Sequence, residues 1–139
     1  MLRLYILLLA LIVIPSSVLS NQQEWRFRVF LDKKEIGYHN FFLQEFENET
    51  RLHSEASFEY RVLFVKLYGY EHENSEVWQG DCLTHIESRT DANGKPFEVS
   101  GVLEGGNFNL RGTAGEMKLP LCNMSFAYWN PAFLQQKRL

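Results

Sequence analysis

Apolar and aromatic positions alternate with polar ones along most of this chain, which is the period of strands with one buried face. In WRFRVFL (25–31), Trp25, Phe27, Val29 and Leu31 fall on one side and Arg26, Arg28 and Phe30 on the other. DKKE (32–35) is a polar turn, IGYHNFFLQEF (36–46) the returning strand, and Gly37 near its start marks a bulge. ENET (47–50) turns again. A long β-prone segment, 51–73, follows. It is apolar on both faces around 62–68, so that part is expected to be covered on both sides or to curl sharply. EVWQGDCLTHIESRT (76–90) reads as the next strand, closed by the hairpin signal Asn93-Gly94. FEVSGVLEG (97–105) and NFNLRG (107–112) form a further hairpin. The pattern predicts an all-β fold: an antiparallel meander of six or more strands curling into a barrel or half-barrel, which manages its edges. At the end, Asn130 caps and Pro131 starts one short helix, with Lys137 and Arg138 at its C-terminal dipole.

The first twenty residues break the alternation. Arg3 precedes the ten-residue apolar run Tyr5–Ile14, Pro15 ends it, and Val18 and Ser20 suit a signal-peptidase site. Residues 1–20 are therefore expected to be a signal peptide, and 21–139 one mature β domain. The run is short for a bilayer span, which needs roughly 20 residues, and no second apolar segment follows, so no transmembrane span is expected in the mature chain. The mature chain carries 13 basic and 17 acidic side chains and no basic tract, which argues against nucleic acid as a partner. The expected location is periplasmic or secreted.

In an exported chain the two cysteines, Cys82 and Cys122, point to one bridge, the alternative being two free thiols. The densest chemistry lies in YGYEHENSEVWQGDC (68–82). A two-residue turn at Asn74-Ser75 would place Glu71, Glu73, Glu76 and Trp78 on one face. Tyr68, Tyr70, His72, Val77 and Gln79 would take the other. Such a tip is either a metal or ligand lip or, more often, a solvated hairpin end. The histidines, His39, His53, His72 and His85, have no zinc spacing. Cys82 and His85 point to opposite faces of a strand, and no nucleophile elbow, P-loop or dinucleotide fingerprint occurs. No catalytic residue, metal ligand or cofactor is assigned. NET (48–50) and NMS (123–125) match the glycosylation acceptor pattern, which matters only in a eukaryotic secretory pathway. The 20 aromatic residues among 139 are mostly core, though in a small barrel inward aromatics can also line a cavity for an apolar ligand.

FRVFLDKKEIGYHNF, YGYEHENSEVWQGDCL, IESRTDANGK, FEVSG and SFAYWNP resemble, in that order, a bacterial family labelled domain of unknown function 6134. The resemblance covers about 24–134. Its most specific parts are Tyr70, His72, Asn74, Glu76 and Trp78 at alternate positions, followed by Cys82-Leu83, and the Asn130-Pro131 ending with Leu134. It implies an exported antiparallel β-barrel without an established activity. The family's chain continues past this segment, so the resemblance also implies closing strands beyond Leu139 and a barrel incomplete without them.

The expected function is non-enzymatic binding of an apolar or amphipathic ligand, such as a lipid-derived molecule, in the cell envelope, with Tyr70, His72 and Trp78 facing it. One alternative is metal-assisted or thiol-based hydrolysis using some of His39, His72, His85, Glu76, Asp81 and Cys82. The other is an envelope module that pairs its open edge with a protein partner.

Overall fold

The computed structural model describes residues 21–135. The signal-peptide reading of 1–20 and the basic end at Lys137 and Arg138 lie outside the described residues. Eight strands form one antiparallel sheet in chain order: β1 (Asn21–Leu31), β2 (Lys34–Glu45), β3 (Thr50–Val62), β4 (Val65–Gln79), β5 (Cys82–Ala92), β6 (Lys95–Glu104), β7 (Asn107–Gly112) and β8 (Gly115–Leu119). The all-β meander expected from the alternation is therefore present. β1 and β8 sit at opposite ends of the strand order and do not pair, so the sheet is open. A tail crosses one face and ends in a short 3-10 helix, Pro131–Gln135. The side-chain oxygen of Asn130 accepts a 2.9 Å bond from the Ala132 backbone N–H, so the expected cap is in place.

Two sequence expectations about strand boundaries are overturned. Segment 51–73 is not continuous: the chain reverses at Leu63-Phe64 between β3 and β4. Nor is there a turn at Asn74-Ser75, which lie mid-strand in the fifteen-residue β4, opposite Ser54 and His53 on one side and Ser88 and Glu87 on the other. The real turn comes later, at Gly80-Asp81, and splits 76–90 between β4 and β5. Pairing along both edges of β4 outweighs the turn preference of Asn-Ser, and the buried Asn74 amide is put to use by donating to Glu76 at 3.1 Å. The Gly37 expectation holds. The β1–β2 register shifts between Val29 and Phe30, beside Gly37, where a Cβ would lie 1.8 Å from the Ser57 carbonyl oxygen.

The two faces of the sheet differ sharply. One carries charge: Glu73, Arg89 and Glu98 stand side by side on β4, β5 and β6, and Arg111 pairs with Glu116 at 2.6 Å. The other holds the apolar residues. Trp78, Leu83, Phe108 and Ala127 form a buried cluster there, with Ile86, Leu103, Leu110, Leu119, Met124 and Trp129 packed around them, and Leu43, Leu52 and Ala56 are buried on the same face of β2 and β3. Ala127, Met124 and Trp129 come from the tail, so the tail is the second layer over β4–β8. Phe108 is pressed against Gly101, where a Cβ would lie 2.5 Å from the ring.

The bridge Cys82–Cys122 ties the start of β5 to this tail across 40 residues. In the chain-entropy view such a loop contributes about 4 kcal/mol. The backbone N–H of Leu83 donates to the Asn123 carbonyl at 2.9 Å, fixing the tail beside the strand.

Candidate functional site

Strict alternation along β4 sends Tyr70, His72, Asn74, Glu76 and Trp78 to the apolar face, and Glu71, Glu73 and Ser75 to the charged one. The expected cluster of three carboxylates at a hairpin tip therefore does not form: Glu71 and Glu73 are exposed on one side, and Glu76 is buried on the other. Tyr70, His72 and Trp78 share a face, contrary to the hairpin register, but their surroundings differ. Trp78 is 0% exposed and meets Trp129 edge to face at 5.4 Å. Tyr70 and His72 lie half-buried, beyond the tail.

Under the tail, three donors converge on the Glu76 carboxylate. The Trp78 indole N–H donates to Oε2 at 2.8 Å, while the Asn74 amide at 3.1 Å and the Ser125 hydroxyl at 3.0 Å donate to Oε1. A buried carboxylate needs such partners to offset its lost hydration. Ser125 belongs to the tail, so this network fastens the second layer to the sheet. Asp81 does the same nearby, accepting from the Asn130 amide at 3.1 Å.

Away from the tail, the same face changes character. A strip of rings crosses four strands: Phe27 on β1, His39 and Phe41 on β2, Phe58 on β3, and Tyr70 and His72 on β4. Phe27 and Phe41 meet edge to face at 6.0 Å, and His39 lies against Phe41 at 4.2 Å. Phe58 stacks on Tyr70 at 5.3 Å with planes 10° apart, and Tyr70 lies 6.0 Å from His72. These separations are favourable for aromatic pairs. The strand register explains the order. Phe27, His39, Ala56, His72 and Thr90 stand opposite one another in sequence across five strands, so the small Ala56, 3% exposed, lies buried between two imidazoles. Phe27, at the edge of the strip, is 52% exposed, and the other five rings are half-buried.

The polar groups of the strip are few and placed. His72 Nδ1 and the Thr90 hydroxyl are 2.8 Å apart. Burial pushes His72 below its ordinary imidazole value, with the Glu76 charge opposing. Burial, then repulsion from His72, lowers His39 as well. Burial raises the Tyr70 phenol, and its hydrogen bond with Thr90 works the other way. Both imidazoles are thus held toward their neutral forms, which suits an apolar contact surface. One row deeper, Asn74 Oδ1 is buried without a partner.

Of the residues weighed for hydrolysis, His39 lies close enough to His72 to be repelled by it, and Glu76 acts on His72 through its charge. His85 is on the charged face, 3.8 Å from Glu87. Cys82 is bridged, so its sulfur is no nucleophile in this state. Among the described residues no three His, Cys, Asp or Glu side chains converge in a way that could hold a metal ion. No helix among them is long and apolar enough to cross a membrane. Phe27, Phe41 and Phe58 are the members of the strip that sequence reasoning left unassigned; the alternation around each was the available signal.

No curated protein and no solved structure matches the chain. The model of one family, described as domain of unknown function (DUF6134), matches residues 27–139, from the middle of β1 through the tail. The chain, with its meander, its strapped tail and its open strip of rings, therefore belongs to the family described as domain of unknown function (DUF6134).

Proposed function

We propose that this chain is an exported, non-enzymatic binding protein of the cell envelope, whose aromatic strip holds an apolar or amphipathic molecule. The observation that carries the reading is the ring series Phe27, Phe41, His39, Phe58, Tyr70, His72, which stays part-exposed on a face whose Trp78 end is sealed by the tail. Uncovered rings in contact are costly in water, and a bound apolar chain removes that cost. His72 and Thr90 offer hydrogen bonds to a polar head group at one side. Trp78 contributes from below, by holding the Glu76 network that supports β4. Export is supported by the apolar run Tyr5–Ile14 and by the bridge, which forms in oxidising compartments.

The test is native mass spectrometry of the chain expressed for export and purified without detergent, then titrated with a long-chain fatty acid. Saturable uptake is expected, with Phe58→Ala and Tyr70→Ala each weakening it about tenfold, the equivalent of one lost aromatic contact. Absence of uptake across fatty acids and envelope phospholipids would end the proposal.

A further inference from the structure

The β3–β4 turn places two large apolar side chains at the extreme end of a hairpin. Leu63 is 87% and Phe64 94% exposed, and the flanking Val62 and Val65 are 44% and 60% exposed. Leu63 also takes φ +55°, a left-handed conformation that glycine or asparagine adopts far more readily. Neither solubility nor turn chemistry accounts for this pair. The β1–β2 turn lies beside it, since the Lys34 ammonium donates to the Arg61 carbonyl at 3.1 Å. That turn adds Phe30 and Leu31, 50% and 43% exposed.

In the strand ends and turns that carry these apolar residues, Arg28 pairs with Glu35, and Arg61 and Lys66 pair with Glu59, while Lys33 and Lys34 stand with Asp32, a basic excess on a chain whose formal charge is −3. Apolar tips ahead of a collar of cations are complementary to one surface in particular: an anionic bilayer, with acyl chains beneath phosphate head groups. We propose that this end of the sheet docks on an anionic membrane, with Leu63 and Phe64 inserted to the acyl boundary and the cations at head-group level. This is independent of what the strip binds. It does have a geometric consequence for the strip. The cross-strand pairs Phe58–Tyr70, Tyr60–Tyr68 and Val62–Val65 run in line from the rings to the tip, so docking would bring the open end of the strip to the lipid surface.

The experiment is vesicle co-sedimentation, using protein recovered after export with its N-terminus fixed by mass. Vesicles of phosphatidylcholine alone are compared with vesicles containing phosphatidylglycerol. The variant is Leu63→Gly with Phe64→Ser, which relieves the turn and so keeps the fold, as its melting temperature will verify. Wild type is expected to pellet with the anionic vesicles at least tenfold more than with the neutral ones, and the double variant to lose at least tenfold of that binding. Ser100→Ala, on the charged face of β6, should pellet like wild type. The proposal is overturned if wild type ignores anionic vesicles or if the folded double variant binds as well as wild type. It is also overturned if sedimentation without lipid shows a dimer that the double variant dissolves, since the tip would then be covered by a second copy.

Discussion

One face of one sheet is treated in two ways. Over β4–β8 it is sealed: the tail lays Ala127, Met124 and Trp129 on Trp78, Leu83 and Phe108, and the bridge and the Glu76 network fasten it. Over β1–β4 the cover is partial: Leu43, Leu52, Ser54 and Ala56 are buried, while the rings of Phe27, Phe41, Phe58 and Tyr70 stay part-exposed and in contact with one another. Both regions are built from the same alternation, and β4 contributes to both: its Trp78 end belongs to the sealed part and its Tyr70 end to the open part. What separates the sealed part of this face from the part-exposed one is the reach of the tail, not the composition of the sheet.

The sharpest way to test that division is to cut the strap. Cys82→Ser with Cys122→Ser should lower stability by about 4 kcal/mol in denaturant titration. Variant that still folds should take up an apolar probe as wild type does, because the bridge lies outside the strip. Equal losses in stability and in uptake per folded molecule would show that the two regions are not separable.

Next in size is Glu76→Leu, which strands the donors of Trp78, Asn74 and Ser125. About 3 kcal/mol should be lost, since each buried unpaired group costs 1–3 kcal/mol and the tail can relax. Glu76→Gln, which keeps acceptor capacity, should lose less. If the two variants melt together, the carboxylate is not what fastens the tail.

Phe58→Ala should invert the pattern. Its half-buried ring stacks on Tyr70, so roughly 1–2 kcal/mol of stability is at stake. Uptake of an apolar probe should fall about tenfold. A large stability loss with unchanged uptake would make the strip a core rather than a site.

The smallest effect concerns pH. His39 and His72 both titrate below their unfolded value in the folded protein, so the unfolded chain binds protons first on acidification. Their contribution to stability is complete above the unfolded value near 6.5 and is lost as pH falls through the folded values. The melting temperature should therefore drop on acidification below that point. His39→Gln with His72→Gln should flatten this part of the profile, leaving the carboxylates to act at lower pH. A profile unchanged by the double substitution would mean that neither ring is shielded.

How far the sequence carried this picture follows from particular residues. The period-two alternation was enough for the sheet class, for the face shared by Trp25, Phe27 and Val29, and for the Asn93-Gly94 turn, where both residues take positive φ. An even cysteine count in a chain read as exported was enough for the Cys82–Cys122 bridge. The Leu63-Phe64 reversal was illegible because it contains no glycine, proline or asparagine, and the chain holds an apolar pair where turn chemistry asks for small or polar residues. Asn74-Ser75 misled for the opposite reason: turn-forming residues sit in a strand whose two neighbours and buried carboxylate hold them extended. The strip itself could not be read, because bringing Phe27, Phe41, Phe58 and Tyr70 together requires the register of four strands at once.

Residue-resolved NMR during titration with a long-chain fatty acid tests the central claim most directly. The account predicts saturable shifts in the rings of Phe27, Phe41, Phe58, Tyr70 and His72, with Phe108 under the tail and Trp129 on it unmoved. Shifts centred on Phe108 and Trp129, or no saturable change anywhere, would contradict it.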